Sequence, residues 1–284
     1  MESRFVAEAR DGLPLAVSLT QSMAGSAGPP LIMIPGLGAT RHVYAPLVPL
    51  LAQRMPVAVF DPRGTGDSGV GNPPYTMAQL ADDTVEVLAS LGWDRAAVFG
   101  ASMGGMVAQH VAIGHRDRVW RLLLACTSPG AAHAVPAERD ATRALLGKGA
   151  TTGEEAYRMA TTVLYEQGWA AANRPLVEAE IAYRATHPVA ARAFSGQYEA
   201  VKAHDTWERL PSITAPTLVI HGTSDSVIPV GNGERIAGRI PGARLLELEG
   251  RGHLFWHEDP EAAAAAITSF LLGREVGRAA APLF

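Results

Sequence analysis

The chain has a single cysteine, Cys126, in 284 residues, so it cannot close an internal disulfide, and the disulfide framework of small secreted domains is excluded. Charge is sparse at 18%, with 24 basic against 28 acidic residues and a net charge of −4. No basic cluster points to nucleic acid, and no acidic tail points to a solvating arm. Aromatic residues make up only 6%. No apolar run approaches the length of a membrane span, and the alanines from Ala262 to Ala266 read as packing within a final helix. The opening residues Met1-Glu2-Ser3-Arg4-Phe5 lack the charged region and apolar stretch of a signal peptide, so the expected location is the cytoplasm. No C-x-x-C pair occurs, the nine histidines are spread along the chain, and no metal site is read from them. Gly64-Thr65-Gly66 lacks the lysine and spacing of a phosphate loop. No internal repeat is visible, and neither a metal nor an organic cofactor is expected.

What is present is an alternation of short apolar runs and amphipathic stretches. Phe5 to Ala9 and Leu15 to Leu19, joined around Asp11-Gly12, read as an opening hairpin. Gln21 to Pro30 reads as a loop of small residues. Strands are then predicted at Leu31–Ile34, Val57–Phe60, Ala96–Phe99 and Val119–Ala125, with helices near Val43 to Gln53 and Met77 to Leu91, the second capped by Thr76. Such alternation implies a mostly parallel sheet covered on both faces. From Pro129-Gly130 to about Pro211 the pattern becomes helical and alanine-rich, with a helix start at Thr151 to Glu155 and breaks at Pro175 and Pro188. Strand character resumes at Thr217. The division expected is a core of residues 1–129 and 212–284 with a helical cap, or lid, of residues 130–211. The tail from Gly273 onward reads as loose or as a contact for a second subunit, which leaves the oligomeric state open.

The densest chemical signal is Gly100-Ala101-Ser102-Met103-Gly104. It follows the apolar run Ala96 to Phe99 and precedes a helical stretch from Gly105 to Ala112, so strand, sharp turn, serine and helix follow one another as in a nucleophile elbow. A serine needs a base to take its proton and an acid to orient that base. The run Thr217 to His221 leads into Gly222-Thr223-Ser224-Asp225, and the alternating run Leu245 to Glu249 leads into Gly250-Arg251-Gly252-His253. Ser102, Asp225 and His253 therefore each lie just past a predicted strand, where loops at the carboxyl ends of parallel strands converge. The competing acids are Asp61 and Asp67, and the competing histidines are His221, read as packed and hydrogen-bonded, and His257, read as a helix entrance. Cys126 ends an apolar run with no elbow around it and is not read as a nucleophile.

Taken with Pro35-Gly36-Leu37-Gly38 and Asp61-Pro62-Arg63-Gly64-Thr65-Gly66-Asp67-Ser68, these segments make the chain resemble the α/β-hydrolase fold superfamily. In pattern it is most similar to small bacterial esterases, enol-lactonases and cofactor-free haloperoxidases. The resemblance implies an α/β-hydrolase fold, with a mostly parallel eight-stranded sheet, helices on both faces and a helical lid inserted after the sixth strand. It also implies that Asp61 makes local turn hydrogen bonds and Arg63 braces the loop after the fourth strand, and that the backbone amide of Leu37 joins that of Met103, the residue after the nucleophile, in an oxyanion hole. The chain departs from the commoner pattern in having Pro35 where a histidine usually stands before the glycine; a backbone donor does not depend on that side chain, but a loop hydrogen bond is lost.

The function expected is hydrolysis of a small-molecule carboxylic ester or lactone through a Ser-His-Asp triad and an acyl-enzyme, with Tyr157, Leu164, Tyr165, Trp169, Phe194 and Tyr198 as candidate lining of the substrate pocket. Cleavage of activated C–C bonds and perhydrolysis use the same triad and stay open, as does a small-molecule receptor on the same fold. Serine rather than aspartate at position 102 argues against haloalkane dehalogenase or epoxide hydrolase chemistry. Neither nucleic acid nor membrane is an expected partner.

Overall fold

The protein is described by a computed structural model covering residues 2–22 and 28–274. The centre of the predicted small-residue loop and the tail beyond 274 lie outside the described residues. The opening hairpin is formed by β1 (Glu2–Glu8) and β2 (Pro14–Thr20), paired antiparallel with Val6 opposite Ala16. There follow β3 (Leu31–Ile34), the short helix α1 (Val48–Leu51), β4 (Val57–Phe60), α2 (Met77–Ser90), β5 (Ala96–Ala101), α3 (Met103–Gly114) and β6 (Val119–Ala125). Five helices come next, α4 (Arg139–Leu145), α5 (Gly153–Leu164), α6 (Trp169–Ala172), α7 (Arg174–Thr186) and α8 (Ala191–Ala203). The chain closes with β7 (Thr217–Gly222), α9 (Gly231–Arg239), β8 (Arg244–Leu248), α10 (Phe255–Glu258) and α11 (Pro260–Leu271).

The eight strands form one sheet in the order β1-β2-β4-β3-β5-β6-β7-β8, parallel from β4 onward and antiparallel at the hairpin edge. The inner strands are buried on both faces, which explains why Leu31–Ile34 and Val57–Phe60 read as continuous apolar runs. Successive side chains point to opposite faces. Leu31, Met33, Val59 and Phe99 join one core with Tyr44, Trp256, Ile267 and Phe270, while Ile32, Ile34, Phe60 and Val98 join the other with Leu80, Leu88, Val107 and Ile236. Helices α1 and α11 thus cover one face of the sheet, and α2, α3 and α9 the other.

Local chemistry explains most boundaries. Thr76 caps α2 by accepting from the Gln79 amide at 3.1 Å, and Thr152 caps α5 by accepting from that of Glu155 at 3.1 Å. The helix expected near Val43 to Gln53 is instead a one-turn 3₁₀ piece, Arg41–Tyr44, followed by α1. Pro46 and Pro49 explain the difference, since proline supplies no amide and disfavours helix in the residue before it. The loop after β4 is tied down by charge. Arg63 donates to the buried Asp83 at 2.6 Å through two nitrogens and to Asp11 at 3.0 Å, and Asp61 accepts from the Arg41 guanidinium and from the Asp67 amide at 3.0 Å.

The five helices between β6 and β7 leave and rejoin the core through one neck. There the Thr206 amide donates to Pro129 O at 3.0 Å, Gly130 bridges to Asp205, and His204 Nε2 donates to Ser128 O at 3.1 Å. Among the described residues no helix is long and apolar enough to cross a membrane.

Candidate active site

Ser102 sits between β5 and α3 with φ 57° and ψ −123°, a left-handed backbone that a non-glycine residue rarely adopts. Its glycine neighbours are there for space. A Cβ on Gly104 would collide with Ile34 O, and one on Gly100 would collide with Gly104 O. The turn therefore packs directly against β3, the strand that leads into Pro35–Gly38. Gly104→Ala is expected to destabilise the protein by about 3 kcal/mol or more. Urea unfolding of the variant measures this, and an unchanged midpoint would contradict the packing.

Asp225 lies in the loop after β7, where its Oδ1 accepts from the amides of Val227 and Ile228, both at 2.9 Å. Its Oδ2 accepts from His253 Nδ1 at 2.7 Å and lies 3.4 Å from His221 Nε2. Burial alone would raise this carboxyl, but the facing His253 and His221 outweigh burial and bring it down to about 2. His253, in the loop after β8, is 3% exposed. Burial disfavours its charged form, yet the Asp225 carboxylate holds the imidazole well above its ordinary value of 6.5. The His253 loop is fixed by Glu258, whose carboxylate accepts from the Gly252 amide at 3.1 Å and from the Glu166 amide at 2.7 Å.

Ser102 and His253 open into one cavity of about 940 Å³, together with Gly36, Leu37, Gly38 and Met103. Gly36 lies against the serine, since a Cβ there would sit 3.7 Å from Ser102 Oγ. Met103 is the first residue of α3, where the amides of a helix have no intrahelical partner. In the opposite loop, Gly36 O accepts from the Ala39 amide at 3.1 Å. In a trans peptide the N–H and C=O point in opposite directions within one plane, so the Leu37 amide points away from the Ala39 amide that Gly36 O accepts from.

The remaining candidates separate clearly. Asp61 and Asp67 are engaged with Arg41 and make no contact with His253. His221 is fully buried and donates through Nε2 to Ile228 O at 2.7 Å. Tyr157 and Leu164 line the cavity from α5, and Phe194 and Tyr198 line it from α8. These pairs, with Ala160 and Val201 beside them, fall at helical spacing on one face of each helix. Tyr165 and Trp169 lie outside the lining. Tyr165 follows the end of α5 in extended backbone, φ −118° and ψ 162°, which turns it off the face of Tyr157 and Leu164 and onto Trp169, with ring centroids 4.7 Å apart.

Several neighbours were not read from the sequence as site residues. The Cys126 thiol, fully buried and with φ 39° at its backbone, lies beside both the Ser102 amide and the His253 ring; burial pushes it up, so it stays a neutral thiol. Among the described residues, Cys126, Asp225 and His253 form the one cluster whose ligand atoms, all within 4.8 Å of each other, lie close enough to share a cation. His257 stands four residues after His253, a spacing that can pair metal ligands, but its Nε2 donates to Val43 O at 2.8 Å and its ring does not join the cluster.

The comparisons with known proteins agree with this architecture. A family model described as "alpha/beta hydrolase fold" matches residues 29–260. The protein named "Putative carbamate hydrolase RutD" of Caulobacter vibrioides is 34% identical over 245 residues, covering 86% of this chain and 90% of the relative. The crystal structure of a hydrolase from Pseudomonas aeruginosa PA01 superposes with a TM-score of 0.82 at 32% identity, covering 95% of this chain and 98% of that one. That of the enol-lactonase from Burkholderia xenovorans LB400 gives a TM-score of 0.82 at 28% identity, over 94% and 100%. With the family model spanning most of the sheet and the serine turn built as described, the chain belongs to the alpha/beta hydrolase family of enzymes.

Proposed function

We propose that the protein is a serine hydrolase that cleaves a small-molecule carboxylic ester or lactone through an acyl-enzyme on Ser102. The observation that carries this reading is the strained Ser102 turn opening into the same cavity as His253, whose Nδ1 is held by Asp225 at 2.7 Å. With Nδ1–H committed to the carboxylate, Nε2 is the basic nitrogen, and Asp225 stabilises the imidazolium that forms when Nε2 takes the Ser102 proton. The serine Oγ attacks the carbonyl carbon, and the carbonyl oxygen becomes an oxyanion held by the Leu37 and Met103 amides, each such donor contributing about 3 to 4 kcal/mol. Collapse expels the leaving oxygen, which takes the proton from His253. Water, deprotonated by His253, then attacks the acyl-enzyme and releases the acid.

The size of the cavity and the alanine, valine and leucine side chains around it support an acyl group larger than acetyl. A panel of p-nitrophenyl esters of graded chain length, lactones and an aryl carbamate tests the reading. Turnover is expected to rise from the acetate towards medium-chain esters, and EDTA is expected to leave the rate unchanged. Sustained turnover of the carbamate with none of the esters would move the assignment to the chemistry in the Caulobacter relative's name. Binding without turnover of any of them would point to a receptor.

A further inference from the structure

Gly38, the last residue of the loop that carries Leu37, has both of its backbone polar groups held by side chains from the helical segment. Its amide donates to Gln197 Oε1 at 2.8 Å, and its carbonyl accepts from Arg184 Nη1 at 2.7 Å, partners 159 and 146 residues away in sequence. Gln197 on α8 is fully buried, and its amide nitrogen donates to Arg63 O at 2.9 Å, so one side chain joins this loop to the braced loop after β4. Arg184 on α7 is held in turn, 3.6 Å from Glu180 and over the Tyr157 ring at 4.5 Å. The ring of Phe194 fills the remaining space, since a Cβ on Gly38 would lie 2.9 Å from it.

We infer that Gln197, supported by Arg184, is a positioning residue for the oxyanion hole; this rests on the serine-hydrolase reading above. The turn hydrogen bond from the Ala39 amide to Gly36 O sets the Gly36–Leu37 peptide, and the two contacts at Gly38 set the peptides on either side of that residue. The Leu37 N–H belongs to the first of these planes, and only the φ and ψ of Leu37 separate it from the plane that Gln197 holds. The helical segment therefore shapes the cavity and also holds the donor in place before substrate arrives. Such preorganisation stabilises the developing oxyanion, where charge appears, more than the neutral ground-state carbonyl.

Gln197→Met keeps the volume and removes both hydrogen bonds. It is expected to lower kcat about 10- to 100-fold, less than the ~10²- to 10³-fold that follows outright loss of a donor, with KM changed by less than about threefold. A trifluoromethyl ketone, whose serine adduct carries the same oxyanion, is expected to bind more weakly by the same factor as the loss in kcat/KM. Arg184→Gln, at a less buried position, is expected to show the same parallel loss and carries the test if Gln197→Met does not fold. A folded Gln197→Met, or in its absence Arg184→Gln, that keeps kcat within twofold overturns the inference, as does a lowered kcat with unchanged affinity for the ketone. Ser102→Ala is measured alongside: hydrolysis surviving in that variant overturns the serine-hydrolase reading itself, whereas its loss, with ketone binding intact in Gln197→Met, overturns only the role of Gln197.

Discussion

Replacement of Ser102 by alanine is expected to lower ester hydrolysis about 10⁵- to 10⁶-fold, as loss of a nucleophilic serine does elsewhere, while the protein stays folded. No neighbouring group can stand in for the hydroxyl. Of the other nucleophiles close by, the Cys126 thiol is fully buried beside the His253 ring and stays protonated, and the Thr127 hydroxyl is occupied in donating to Ser102 O at 2.8 Å. The alanine side chain fits where the serine Cβ already stands, and only the hydroxyl is removed. Backbone strain at φ 57° is common to both residues, so stability changes little. Initial rates on the best ester of the panel, with unfolding midpoints alongside, check both halves. Activity within a hundredfold of wild type would place the nucleophile elsewhere.

The second large effect is expected at Asp225. The side-chain amide introduced by Asp225→Asn would keep an oxygen for the Val227 and Ile228 amides, but its NH₂ group would face His253 Nδ1. The imidazole would then accept at Nδ1 and carry its proton on Nε2, the wrong tautomer for a base, and kcat is expected to fall by about 10⁴-fold. The pH profile gives an independent reading. In the wild type Asp225 raises the His253 pKa above 6.5, so kcat/KM should climb with pH through a midpoint above that value as Nε2 loses its proton. Without the carboxylate, burial becomes the dominant influence on His253 and acts in the opposite direction, so the residual activity should show its midpoint moved down. An unmoved limb would mean that some other group sets it.

The features legible in the sequence are those fixed by neighbours in the chain. The run from Ala96 through Gly104 carries its own strand, turn and helix signals, and the crowding at Gly100 and Gly104 is local to the serine turn and β3. Thr76 and Thr152 cap helices through amides three residues on. The inner strands follow the same logic, because a strand buried on both faces must be apolar throughout, while the partly exposed β1 and β8 are marked by the hairpin turn and by alternation. Where the structure departs locally, as at Val43 to Gln53, the prolines override an apolar pattern that on its own favours a longer helix. The rest was hidden because it depends on how distant segments pack. Tyr165 and Trp169 have the composition of pocket residues, but the end of α5 turns them onto each other. Nothing near Gln197 or Arg184 announces a partner in Gly38, and nothing near Cys126 announces His253.

The neck formed by Pro129, Gly130, Asp205 and Thr206 has a consequence for how this scaffold can change. The intervening stretch begins and ends at adjoining points of the backbone, so from the sheet's standpoint it is a closed excursion whose length costs little to alter. A graft of different helices into this position must reproduce that short junction and the hold of the Glu166 amide on Glu258. With the positioning role inferred for Gln197, it must also bring a side chain that accepts from the Gly38 amide, and a transplant that omits one is expected to react more slowly.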